Sequence, residues 1–176
     1  MVDHFSLPAF DSGDGPERVL AGTIGSNKLV VRGSSVLVSR LNPGTNRTWR
    51  SVPSNQVQLS VCSTEYSVLE PRGISAGLLW AVVSSDDVAD CLVAATTGTT
   101  ASHQRVREDE VLGATVLDPR ALDDPSLQEV EILARTMARI SNEVHSLRTT
   151  LHFLLPRLLS GELQVAVAEE QLEEAS

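Results

Sequence analysis

Residues 130–154 read VEILARTMARISNEVHSLRTTLHFL, and within them Val130, Leu133, Met137, Ile140, Val144, Leu147, Leu151 and Leu154 recur at alternating spacings of three and four. This is a heptad with apolar a and d positions, the pattern of a helix whose narrow stripe packs against a second helix. Ile132 and Phe153 stand off the stripe, on another face. A helix lying on its own domain's core normally carries a wider apolar band, so a two-helix coiled coil is favoured over packing on the chain's own core. At 1.5 Å per residue the seam would rise roughly 37 Å. Pro156 then ends or kinks the helix, and Gly161 caps the remaining turn. Eight seam positions without an intrachain partner helix predict a homodimer.

Upstream of that seam the periods are those of short strands and short helices. Residues 1–27, rich in Gly, Pro, Ser and Asp, read as loop and turn with few strands. Two strand-like runs come next at 28–31 and 35–41, joined by Arg32-Gly33-Ser34 as a hairpin. A loop over 42–47 leads to β-favouring segments at 57–62 and 64–69, the latter stopped by Pro71. The period then turns helical at 75–83. Ser84-Ser85-Asp86-Asp87 offers a cap and first-turn acids for a second helix at 86–95. Residues 96–105 are an exposed run of hydroxyls and amides ending in bases, and 111–117 are a further strand candidate. The fold class expected is α+β: a globular domain of mixed sheet and helix over 1–121, a long helix over 122–160, and an acidic, frayed tail over 161–176.

The 176 residues hold 14 Lys or Arg against 23 Asp or Glu, a formal charge of −9 that on its face argues against a nucleic-acid partner. The charge is segregated, however. Residues 1–17 carry four acids and no base, 18–107 carry nine bases and five acids, and 108–176 carry five bases and fourteen acids. Arg18, Lys28, Arg32, Arg40, Arg47 and Arg50 all precede the first acid after Glu17, which is Glu65. Such asymmetry points to a local anionic partner or to a solvated face balanced by acids elsewhere. Phe5, Phe10, Trp49, Tyr66, Trp80 and Phe153 are too few and scattered for the stacking platforms of single-strand binders. Cys62 and Cys91 form no CxxC pair, so neither a zinc framework nor a disulfide scaffold is expected. The longest apolar run, 78–83, is far below the roughly 20 residues of a membrane helix. The N-terminus lacks an export signal, which points to a cytoplasmic protein.

Several tools of catalysis are missing. The chain has no phosphate-binding GxxxxGK[ST] loop, no GxGxxG and no HExxH. Asn42-Pro43 continues into Gly44-Thr45, unlike the base-gripping motif of adenine methyltransferases. Asp86, Asp87 and Asp90 are explained by helix capping more simply than by a metal. His145 and His152, both at b positions, are solvent-facing in the heptad frame. No cofactor, no metal and no enzymatic activity are expected.

Several blocks resemble a known family. His4-Phe5-Ser6-Leu7-Pro8-Ala9-Phe10-Asp11, Ile24-Gly25-Ser26-Asn27-Lys28 and Val36-Leu37-Val38-Ser39-Arg40-Leu41-Asn42-Pro43 are similar to the target recognition domain of type I restriction-modification specificity subunits. So are Ser63-Thr64-Glu65-Tyr66 through Pro71, residues 97–106, and Leu154-Leu155-Pro156-Arg157-Leu158-Leu159-Ser160-Gly161-Glu162-Leu163. The resemblance implies a subunit that performs no chemistry. It reads double-stranded DNA for methyltransferase subunits and a restriction and motor subunit. Family members usually hold two recognition domains, each followed by a long helix, with the helices paired antiparallel as a spacer. This chain departs from that in having one domain and one helix, and in starting close to the HFSLPAFD block.

The resemblance thus implies a half-subunit that completes itself by dimerising and reads two inverted half-sites. Readers about 37 Å apart would span about 11 base pairs. Glu143 at g and Arg148 at e would instead favour a parallel pair, by only about 0.3 to 0.5 kcal/mol. Two groups are the candidate DNA contacts: Asn27, Lys28, Arg32, Arg40, Asn42, Arg47 and Arg50, and the donor loop Thr99, Thr100, Ser102, His103, Gln104 and Arg105. Arg and hydroxyls suit phosphate, whereas Asn, Gln and Arg pair bidentately with adenine or guanine edges. The alternative is a truncated coiled-coil scaffold that no longer binds DNA.

Overall fold

Val36, Leu37 and Val38 are at most 4% exposed, so the strand they form is covered on both faces. The reason lies in the arrangement around it. The computed structural model describes residues 1–13, 15–52, 59–96 and 104–162. Its elements are β1 (Val2–Phe5), α1 (Leu7–Ser12), β2 (Glu17–Val19), β3 (Lys28–Val31), β4 (Val36–Ser39), β5 (Thr48–Arg50), β6 (Ser60–Ser63), β7 (Tyr66–Leu69), α2 (Ala76–Val83), α3 (Asp86–Ala94), α4 (Glu108–Gly113) and α5 (Asp124–Leu159). One sheet has the order β2-β1-β6-β3, with β1 and β6 parallel and the other pairs antiparallel. The second has the antiparallel order β5-β4-β7.

Alternation along β4 feeds two cores. Val36 and Val38 pack with Val83, Val88, Leu92, Val106 and Val111 under α2, α3 and α4, while Leu37 joins Phe5, Val31, Cys62 and Tyr66. In the second core Trp49 meets Phe5 edge-on with ring centroids 5.0 Å apart, Phe10 at 5.3 Å, and stacks on Tyr66 at 6.3 Å. Burial pushes the Cys62 thiol up to about 12 and raises the Tyr66 hydroxyl as well. Four of the six aromatics are thereby committed to packing, and Trp80 donates its ring N–H to the Thr48 carbonyl at 3.2 Å.

Several expectations are corrected. The 28–41 stretch is not a hairpin: β3 pairs with β6 in one sheet, and β4 lies between β5 and β7 in the other. A strand apolar on both faces gains more by entering a central position than by pairing with its neighbour in sequence. Gly33, at φ +58°, makes the change of direction. The first 27 residues hold two strands and a helix. Ser6 caps α1 through Oγ, which accepts the Ala9 N–H at 3.1 Å, Pro8 sits in the first turn, and Gly13 closes the helix at φ +71°. The strand expected at 111–117 is instead α4 at its start, because Glu108, Asp109 and Glu110 occupy a helical first turn where acids are favourable. Pro156 does not end α5, which runs on to Leu159. Gly161, left-handed at φ +74°, lies just beyond it.

The chain divides into two compact units, Met1–Ala138 and Arg139–Ser176, and the boundary falls within α5. In the first, Gly77 of α2 closely approaches Ala134, and the Arg50 Nη1 donates to the Ala134 carbonyl at 3.1 Å. No helix among the described residues is long and apolar enough to cross a membrane.

Candidate nucleic-acid interface

Beyond the end of β4, residues 40–42 are bonded on both sides. The Arg40 N–H donates to the Glu65 carbonyl at 2.8 Å, and the Arg40 carbonyl accepts from the Val106 N–H at 2.9 Å. Leu41 bridges Arg105 in antiparallel fashion, and the Asn42 N–H donates to the Gln104 carbonyl at 2.9 Å. Three segments far apart in sequence, the β4 exit, the β6–β7 turn and the stem of the 96–105 run, therefore meet. Asn42 takes a left-handed φ of 49°, which Asn tolerates better than most residues. It opens a short 3-10 turn, Pro43–Thr45. Asn46, also left-handed, anchors that loop by donating Nδ2 to the Ser84 carbonyl at 2.9 Å.

Around this junction the side chains are cationic. Arg40 Nη2 donates to the Thr64 carbonyl, and Arg105 Nη2 donates to Glu65 Oε1 at 2.7 Å. Lys28 opens β3 opposite Ser63, the residue before Thr64, and its Nζ donates to Ser26 Oγ at 2.7 Å. Asn27, exposed, precedes it. Arg40 Nε and Asn42 Oδ1 are buried with no hydrogen-bond partner among the described residues. Among those residues, Lys28, Arg32 and Arg40 form no ion pair, whereas Arg18, Arg47, Arg105, Arg107, Arg120 and Arg135 each pair with a carboxylate.

The first candidate group is thus divided. Asn27, Lys28, Arg40 and Asn42 lie toward the β6–β7 turn together with Gln104 and Arg105. Exposed Arg32 lies before the opposite end of β4, and Arg50 faces Val36 at that end. Arg47 is held by Asp11, with Nε at 2.6 Å from Oδ1 and Nη2 at 3.0 Å from Oδ2. The pair lowers the carboxyl below its usual range and raises the guanidinium. Arg50 is turned inward to α5, and burial lowers its proton affinity against the opposing pull of Glu131. Thr99, Thr100, Ser102 and His103 lie outside the described residues. Two partners were missed in the sequence: Asp11 for Arg47, and Glu65 for Arg105. Only the second had a signal, since Glu65 is the first acid after the basic run that ends at Arg50.

A second surface lies on α5. Leu133, Met137, Ile140, Val144, Leu147 and Leu151 are 41% to 63% exposed, while Val130 is half-buried and Leu154 buried.

No family model matches the sequence, and no curated protein matches it. A solved structure does: a chain from a study of complex assembly and conformational transition of the type I R-M (restriction-modification) system, with a TM-score of 0.55 over 91% of this chain at 19% identity. The chain has the fold of a type I R-M system component. It spans 41% of the length of that R-M chain.

Proposed function

We propose that this chain is a non-catalytic DNA sequence-recognition subunit of a type I R-M system. It reads duplex DNA through the junction around Arg40 and directs methyltransferase and restriction subunits to the site. The observation that carries the reading is the meeting of Arg40, Asn42, Gln104 and Arg105 at one junction, near Lys28, in a fold shared with an R-M component. Uncompensated Lys and Arg supply phosphate contacts that fix register, and the amides are suited to base edges. The exposed seam of α5 pairs with the same seam of a second copy. An antiparallel pair sets the two readers in opposite orientations, which suits a bipartite target with inverted half-sites.

The test is binding of a fluorescent duplex as salt is raised. Lys28 and Arg40 are the bases at the junction that form no ion pair among the described residues, so log affinity should fall against log salt with a slope of about −2 per domain. Absence of binding at low salt, with the methyltransferase subunit present, refutes the proposal and leaves the scaffold reading.

A further inference from the structure

Glu65 places a carboxylate directly against the cationic junction. It sits in the β6–β7 turn, 27% exposed at its side chain, with Oε1 2.7 Å from Arg105 Nη2. Its own carbonyl holds the Arg40 backbone, and Arg40 reaches the carbonyl of its neighbour Thr64. An acid at this place does not serve phosphate binding, since it neutralises Arg105 and repels a backbone oxygen approaching the same guanidinium. It also spans the junction from the turn to the loop stem, which fixes where Arg105 points.

We propose that Glu65 is a specificity-determining residue that occupies Arg105 as a phosphate would. Non-specific duplex must displace the carboxylate and gains little, whereas a cognate site offers base contacts that offset the exchange. This rests on the DNA-reading function proposed above.

The experiment uses the full chain and a mixed-sequence duplex. Glu65→Gln keeps an acceptor for Arg105 and removes the charge. Glu70→Gln, beyond the other end of β7, changes net charge equally and serves as control. The expected result is a 3- to 10-fold gain in affinity for E65Q at low salt, with a salt slope steeper by about 1, and no comparable gain for E70Q. The gain should vanish when Arg105→Gln is added. If wild type binds and E65Q gains no more than E70Q, or keeps its gain without Arg105, the role of Glu65 is overturned while DNA reading stands. If neither wild type nor E65Q binds duplex at all, both fall.

Discussion

Gly77→Ala is the sharpest probe of how the α2 helix meets α5. A Cβ added at Gly77 would lie 2.9 Å from the Ala134 Cβ, 3.2 Å from Arg50 Nη1 and 3.5 Å from Glu131 Oε2. Ala134 is 3% exposed and belongs to a helix backbone that also accepts the Arg50 hydrogen bond, so the helices must move apart rather than a side chain swing away. Overpacking of this kind costs typically 1–3 kcal/mol. Replacing Gly by Ala in a helix returns up to about 1 kcal/mol. The net expectation is a loss of about 1 kcal/mol, a fall in Tm of about 2–4 °C for a chain of this size. Denaturant titration followed by circular dichroism measures it. In an Ala134→Gly background the clash is gone, and the same substitution should become neutral or stabilising, with a coupling energy of at least about 1 kcal/mol. Stabilisation by Gly77→Ala in the otherwise unchanged chain would refute the close approach.

The same geometry has other consequences. Arg50→Gln should lower stability by about 1 kcal/mol, through loss of the charged bond to Ala134, and leave the salt slope of DNA binding unchanged, whereas Arg40→Gln should flatten the slope by about 1. His4, in β1, has its proton affinity lowered by burial and by Lys28, against the opposing pull of Glu17. Its folded-state pKa thus lies below the unfolded 6.5, and its contribution is present above that pH and lost progressively as pH falls below it. His4→Gln should therefore flatten the dependence of unfolding free energy on pH below 6.5 in equilibrium denaturation. Leu147→Glu places a charge in the seam of α5 and should convert a dimer to a monomer in light scattering, with the domain's circular dichroism retained. A wild-type chain that is monomeric at micromolar concentration would refute the self-paired spacer.

The long helix was legible in the sequence because its signal is local: a 3,4 spacing sustained over eight positions needs no knowledge of the rest of the chain. The helix at 75–83 was legible for the same reason, through a period that turns helical, and the one at 86–95 through its first-turn acids. Strand partnership was not. Whether β4 pairs with β3 or enters another sheet depends on the long-range burial of both faces of Val36–Val38, and proximity in sequence pointed to the wrong partner. The N-terminal strands were hidden because β1 and β2 are only four and three residues long and the chain between them is rich in Gly, Pro, Ser and Asp. At the junction, composition identified the bases correctly as charges. It had no means of telling that Arg47 belongs to Asp11 and Arg50 to the Ala134 carbonyl, since both partners lie 36 residues or more away in sequence. The net charge of −9 does not describe the junction, where pairing has neutralised Arg105 but left Lys28 and Arg40 without ion pairs among the described residues.

The most direct test of DNA reading by this chain is selection of bound duplexes from a randomised pool by the full chain together with methyltransferase subunit, followed by sequencing. Two half-sites in inverted repeat, separated by an unread gap, are the result expected from a paired reader. Retained duplexes with no sequence preference over the starting pool would contradict it.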